Sequence, residues 1–177
     1  DPFPGEERVM IPSPKVASYD EVPEMSAGPV TDAILKAVRE GDYDVIIANY
    51  ANPDMVAHTG NFEATKVSVE VVDAALGRIV DAVLGKGGVD LLTADHGNPE
   101  EVSNLQTGDI DKEHSTNPVP FLIVGKAYEG QPSLVGDVPG NDLSLVPPVG
   151  VLADVAPTVL RLLNIPQPKD MTGQALV

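Results

Sequence analysis

The chain has 177 residues, which is enough for one domain with a single packed core. Its net charge of −16 argues against nucleic acids and anionic membrane surfaces as partners, because few cations are available to replace the counterions of phosphates. Cysteine is absent, which excludes disulfides and thiolate metal ligands. No apolar run approaches the ~20 residues of a membrane span, and the N-terminal residues lack the pattern of a signal peptide. The sequence therefore predicts a cytoplasmic protein.

The first half of the chain is predicted to alternate between helix and strand after an irregular start. Residues 1–28 are rich in proline and have little periodicity, which indicates an irregular arm with one short strand at residues 8–11. A helix is expected from residue 29 until Gly41. The apolar, branched run at residues 43–48 is typical of a strand buried on both faces.

The second half repeats this alternation. A long helix is predicted over residues 63–84, followed by strands at residues 89–93 and 119–124. Residues 127–150 are expected to form loops with one or two short strands, and residues 152–163 a last helix, with Asp154 as a plausible N-cap. Alternating strands and helices predict that residues 1–177 form a single α/β domain with a mostly parallel sheet.

All three histidines lie in short polar motifs beside these predicted strands. Asp54 and His58 follow the strand at residues 43–48, and Asp95 and His96 follow the next strand directly. His114 lies at the end of a polar loop that precedes the third strand. Because sites in open parallel sheets form beyond the carboxyl ends of the strands, these five side chains are expected to converge.

Imidazole and carboxylate together suit Mn²⁺ or Zn²⁺ better than Ca²⁺. Each motif alone has an ordinary structural explanation, because polar pairs four residues apart are common on helices and Asp-x-Gly is common in turns. Three such motifs that use every histidine favour a metal site. Two metals a few Å apart would serve phosphoryl transfer. Lys15 is a weaker candidate for a substrate contact, and Asn98 and Asn117 are expected to form turns or to support the ligands.

The motifs closely resemble those of the cofactor-independent (2,3-bisphosphoglycerate-independent) phosphoglycerate mutases of the alkaline phosphatase superfamily. The resemblance covers nearly the whole chain. It rests on Ile11-Pro12-Ser13-Pro14-Lys15-Val16, Pro23-Glu24-Met25-Ser26-Ala27, Asn49-Tyr50-Ala51-Asn52-Pro53-Asp54-Met55-Val56, Thr93-Ala94-Asp95-His96-Gly97-Asn98, Thr116-Asn117-Pro118-Val119-Pro120, Asp154-Val155-Ala156-Pro157-Thr158 and Met171-Thr172-Gly173. Two departures, Ala57 for a frequent Gly and Glu113-His114-Ser115 for Ala-His-Thr, remove no ligand.

The resemblance implies that Asp54, His58 and His114 bind one metal, and that Asp95 and His96 bind a second. Manganese is the metal typical of the family, with zinc, cobalt and magnesium as alternatives. The implied fold is a three-layer α/β/α domain of the alkaline-phosphatase-like class, present here as an incomplete C-terminal portion. An incomplete sheet is expected to expose an edge or an apolar strip through which the chain could associate with itself.

The family's enzymes interconvert 3- and 2-phosphoglycerate through a phosphorylated serine. That serine, an aspartate ligand of the second metal and the substrate-binding domain have no counterpart in these residues, so the chain is expected to bind metal without catalysis. Two other interpretations remain open. One is a different phosphotransferase or hydrolase of the superfamily, such as a phosphopentomutase or phosphodiesterase, and the other is a non-catalytic metal-binding module.

Overall fold

The computed structural model describes residues 1–103, 107–131, 136 and 146–177. The chain divides into two compact units, Asp1–Glu129 and Gly130–Val177. The number of folding domains stays a prediction. Much of the segment predicted as loops with short strands, residues 132–135 and 137–145, lies outside the described residues.

The described elements are four α-helices and two strands. In chain order they are α1 Ala27–Glu40, α2 Asn52–Ala57, α3 Phe62–Gly85, β1 Asp90–Thr93, β2 Phe121–Val124 and α4 Val155–Leu162. Short 3-10 turns lie at Tyr19–Glu21, Pro99–Glu101, Lys126–Tyr128 and Leu152–Asp154. Within the described parts of the chain, no helix is both long and apolar enough to cross a membrane.

The predicted helices at residues 29–41 and 63–84 are confirmed as α1 and α3. The Asn61 side chain caps α3 by accepting a hydrogen bond from the backbone N–H of Ala64 at 3.2 Å, which satisfies one of the free donors at a helix start. The two helices pack through a buried cluster of Ile34, Leu35 and Ile79. Apolar residues at helical spacing thus form the core of the first unit.

The short helix α2 is fixed against α3 and the preceding segment. Val56 and Ala57 are fully buried on one side of α2. At its start, the buried Asn52 side chain donates a hydrogen bond to the carbonyl oxygen of Glu24 at 2.8 Å. A buried amide whose hydrogen bonds are satisfied favours one orientation of the helix that carries it. The helix therefore holds Asp54, on its more exposed side, in a defined position.

The two described strands form an antiparallel pair, so the predicted mostly parallel sheet is wrong for this part of the chain. Asp90 is opposite Val124, and Thr93 is opposite Phe121. Both strands lie where the apolar runs predicted them. An apolar run indicates a strand but carries no information on direction, which is decided by where the intervening chain returns.

Residues 43–48 do not form the predicted strand, and residues 8–11 do not form one either. Ile47 has 92% of its surface exposed, and Val45 and Ile46 are also exposed. A strand requires a neighbour for its backbone hydrogen bonds, and no described segment pairs with this run. The apolar residues of this run therefore lie on an exposed segment without strand structure. The three-layer arrangement stays a prediction.

In the second unit, the predicted helix at residues 152–163 is a 3-10 turn followed by α4. Asp154, at the boundary, is buried. Its two carboxylate oxygens accept hydrogen bonds from the backbone N–H groups of Val151 at 2.9 Å and Gln174 at 2.7 Å. Asp154 thus joins the start of α4 to the C-terminal segment, a wider role than the predicted N-cap.

Candidate metal centre

Three predicted ligands bring their donor atoms into one small triangle. Asp54 Oδ1 is 3.2 Å from Nε2 of His58 and 3.2 Å from Nε2 of His114, and the two imidazole nitrogens are 3.1 Å apart. Asp54 lies in the first turn of α2 and His58 is its C-cap, four residues later, which places both on one side of the helix. His114 joins them from the loop that precedes β2.

This triangle has the dimensions of one face of a coordination sphere. With metal–ligand distances of about 2.1 Å, adjacent ligands lie about 3.0 Å apart in an octahedron and about 3.4 Å apart in a tetrahedron. The observed separations of 3.1–3.2 Å lie between these values. One carboxylate and two imidazoles fit a divalent transition metal, so the residues present suit the group that the sequence predicts.

The hydrogen bond made by the other nitrogen of His58 prepares it as a ligand. Nδ1 of His58 contacts the backbone carbonyl oxygen of Lys112. A carbonyl only accepts, so Nδ1 carries the proton and donates it. With the proton on Nδ1, the lone pair of this tautomer is on Nε2, which is one corner of the donor triangle. This arrangement resembles the outer hydrogen bond that orients most metal-binding histidines.

His96 lies beside the triangle, and Asp95 is less closely placed. The ring of His96 stacks on that of His114 with a centroid distance of 3.7 Å. Asp54, His96 and His114 each offer one ligand atom, and these three atoms lie within 4.8 Å of one another. Asp95 is largely exposed, and its Oδ1 is 3.7 Å from His96 Nε2. That separation is wider than ligand spacing, so the predicted second pair would have to close further around a metal. The division of the ligands between two metals stays a prediction.

Asn98 supports the ligands, as the sequence suggested. It is 1% exposed, and its side-chain amide donates a hydrogen bond to Asp54 Oδ1 at 2.7 Å. The same nitrogen is 3.4 Å from His58 Nε2. Lys15, the weaker candidate for a substrate contact, is exposed.

The sequence reasoning missed Glu100, which connects the two loops that carry His96 and His114. Its carboxylate accepts hydrogen bonds from the Asn98 backbone N–H at 2.9 Å, the Asn117 side-chain amide at 3.2 Å and the Ser115 hydroxyl. A Cβ at Gly97 would collide with Glu100 and Ser115, so glycine allows this close approach. A carboxylate two residues after Gly97-Asn98, with Pro99 between them, was the only sequence signal.

Glu100 is held in its ionised form. Partial burial acts to raise its pKa, but the hydrogen bonds from Ser115, Asn98 and Asn117 together outweigh burial and lower the pKa below its usual value. A charged carboxylate is therefore present beside the ligand loops at neutral pH. It adds to the negative potential that attracts a cation to this part of the surface.

Comparisons with known proteins match the chain to a family of metalloenzymes. The Metalloenzyme superfamily profile matches residues 1–167. The chain is 52% identical over its full length to a 2,3-bisphosphoglycerate-independent phosphoglycerate mutase of Pseudomonas fluorescens, and 51% identical to that of Chloroflexus aggregans. It spans 32% and 31% of the lengths of these two relatives.

A solved structure shares the fold. The Leishmania mexicana phosphoglycerate mutase, crystallised at low cobalt concentration, superposes with a TM-score of 0.74 and 31% sequence identity. The match covers 93% of this chain and 30% of that protein. It supports the predicted alkaline-phosphatase-like class. The family and the group of Asp54, His96 and His114 together support a divalent-metal site. The chain belongs to the Metalloenzyme superfamily, and the predicted resemblance to the 2,3-bisphosphoglycerate-independent phosphoglycerate mutases is confirmed.

Proposed function

We propose that this chain is the metal-binding portion of a phosphoglycerate mutase that interconverts 3- and 2-phosphoglycerate. The observation that carries the proposal is the donor triangle of Asp54, His58 and His114, whose edges match the ligand spacing of a divalent metal. The names of the relatives and their identity over the whole chain support the substrate assignment. The proposal keeps the cytoplasmic location predicted from the sequence.

The ligands have separate roles in this proposal. Asp54, His58 and His114 hold the first metal, and Asp95 with His96 contributes to a second. Manganese is the proposed metal at both positions, with zinc, cobalt and magnesium as alternatives. A divalent metal bound here supplies positive charge that polarises the oxygens of a phosphoryl group. The residues of the chain would hold the metal in place. Asp54 would provide the anionic ligand, and the Lys112 carbonyl, by accepting the Nδ1 proton, leaves the lone pair of His58 on Nε2.

The chain spans about a third of the length of its relatives, so the full reaction requires groups beyond the ones described. We propose that the serine that carries the phosphoryl group, and the residues that bind phosphoglycerate, lie outside these 177 residues. On this interpretation the chain alone binds metal and does not catalyse the mutase reaction.

Calorimetric titration of the chain with Mn²⁺ tests the metal assignment. We expect one metal to bind more tightly than a second, because the Asp95 and His96 pair offers a single carboxylate and a single imidazole. His58→Ala should abolish the tight site, and His96→Ala should weaken it far less. Two equivalent tight sites, or a tight site that is lost in His96→Ala but kept in His58→Ala, would contradict the assignment.

A further inference from the structure

The carboxylate of Glu100 is the common acceptor for two loops that are distant in sequence. One oxygen accepts the backbone N–H of Asn98, within the loop that carries Asp95 and His96. The other accepts the Ser115 hydroxyl and the Asn117 amide, in the loop that carries His114. A backbone hydrogen bond from the Ser115 N–H to the Gly97 carbonyl at 2.8 Å completes the connection.

This connection fixes the distance between the two loops whose side chains form or contact the donor triangle. The residues directly before Gly97 and Ser115 are His96 and His114, whose rings stack at 3.7 Å. The residue after Gly97 is Asn98, whose side chain holds Asp54. A change in the separation of the two loops would therefore move an imidazole ligand and the partner of the carboxylate ligand together. The hydrogen bonds of Glu100 within the described part of the chain go to Asn98, Ser115 and Asn117, and none of them goes to Asp54, His58 or His114.

We propose that Glu100 is a positioning residue for the metal centre, which sets the separation of the His96 and His114 loops. The proposal rests on the proposed metal-binding function. Outer hydrogen-bond partners of metal ligands typically change metal affinity by about 10- to 100-fold when they are removed. Glu100 does not bond to a ligand side chain directly. It acts through the backbone of the loops that carry His96 and His114, and it holds both loops at once.

Glu101 offers a matched control. It is the next residue in the same 3-10 turn, it is exposed, and it carries the same charge without making these three contacts. Glu100→Ala and Glu101→Ala remove the same net charge from the same turn. A difference between the two variants therefore reports the hydrogen bonds of Glu100 rather than the general electrostatic field.

The first measurement is calorimetric titration of the 177-residue chain with Mn²⁺. Glu100→Ala is expected to raise the dissociation constant of the tight site by about 10-fold or more. Glu101→Ala should leave it within about two-fold. Equal effects of the two substitutions, or an unchanged affinity in Glu100→Ala, would overturn the proposal.

The second measurement does not need metal. The chain has three histidines, so each imidazole gives its own nitrogen-15 and proton NMR signals. In the metal-free protein, Glu100→Ala should shift the signals of His96 and His114, whose stacked rings affect each other strongly, more than those of His58. Unchanged His96 and His114 signals would overturn the positioning role of Glu100. Failure of the unsubstituted chain to bind metal would reject the proposed function alone, and the NMR comparison would still test the positioning role.

A milder substitution protects the test against loss of folding. Ser115→Ala removes one of the three donors to Glu100 and leaves its charge in place. If Glu100→Ala fails to fold, Ser115→Ala decides: it should shift the same two histidine signals and weaken Mn²⁺ binding by several-fold, with the thermal unfolding midpoint close to that of the unsubstituted chain. A folded Ser115→Ala protein with unchanged signals and affinity would reject the proposal.

Discussion

The buried amide of Asn98 donates a 2.7 Å hydrogen bond to Oδ1 of Asp54, a residue 44 positions earlier in the chain. The same oxygen is the corner of the donor triangle. The bond therefore joins the loop after β1 to the first turn of α2, at the atom that would supply negative charge in the proposed metal site. A carboxylate held in this way is oriented before the metal binds.

Removing the Asn98 amide should weaken metal binding. In Asn98→Ala the Asp54 carboxylate loses its donor and can rotate, so the Mn²⁺ dissociation constant is expected to rise by about 10- to 100-fold. Loss of the hydrogen bond should also lower the free energy of unfolding by about 1 kcal/mol. Calorimetry and denaturant unfolding measure the two effects. Asn49→Ala, at an exposed asparagine outside the site, is the control, and equal affinities of both variants would refute the role.

The chain alone should not convert 3-phosphoglycerate to 2-phosphoglycerate, with or without Mn²⁺. The physical reason is that its described ligands can hold a metal, whereas the proposed phosphoryl-accepting serine and substrate-binding groups lie elsewhere. A coupled assay on protein of verified mass, beside a full-length relative as the positive control, measures this. Reproducible turnover that disappears in His58→Ala would show that the chain contains more of the machinery than proposed.

The exposed apolar segment at residues 45–47 should promote self-association. Ile47 is 92% exposed, and water-exposed apolar surface of this kind favours contact with a second copy. Ile47→Ser is expected to shift sedimentation profiles at high concentration toward the monomer. Val69→Ser, which changes an exposed valine on α3, should have little effect. A monomeric unsubstituted chain at all concentrations would refute this prediction.

Acid should remove the contribution of Asp154 to stability. Backbone hydrogen bonds from Gln174 and Val151 lower the pKa of this carboxyl below its usual value. A lowered folded-state pKa stabilises the protein above the unfolded-state value of about 3.9, and this stabilisation is lost as the pH falls through the folded-state pKa. Asp154→Asn should therefore have a lower unfolding midpoint than the unsubstituted chain at pH 7, with the difference closing at strongly acidic pH.

The control for Asp154 is Asp170→Asn, at an exposed aspartate in the same unit. Its unfolding midpoint should follow that of the unsubstituted chain across the same pH range. A difference between Asp154→Asn and the unsubstituted chain that stays constant down to strongly acidic pH would show that the effect comes from packing rather than from ionisation.

Asp90 should behave in the opposite sense. Burial raises its pKa, and Oδ2 has no hydrogen-bond partner among the described residues. A raised folded-state pKa favours folding below the unfolded-state value, and this advantage is lost as the pH rises toward the folded-state pKa. Asp90→Asn should therefore raise the unfolding midpoint at pH 7, and the gain should shrink on acidification. Asp44→Asn, at an exposed loop position, should show no such gain.

The sequence by itself predicted the local elements that have strong periodicity. The apolar stripes of α1 and α3, and the apolar runs of β1 and β2, depend on spacing along the chain, so their positions are confirmed within a few residues. The clustering of every histidine beside Asp, Gly and Asn also predicted that Asp54, His58 and His114 converge, because metal chemistry restricts which residue types serve. Their role as ligands stays a prediction.

The tertiary structure alone decided how these elements meet. The direction of β2 against β1 and the exposure of residues 43–48 depend on which partners the backbone finds, and no local pattern encodes this. The same holds for the loop connection made by Glu100 and for the Lys112 carbonyl that fixes the His58 tautomer. Composition and spacing name the groups that can bind a metal, but only the folded chain sets the distances of about 3 Å at which their donor atoms act together.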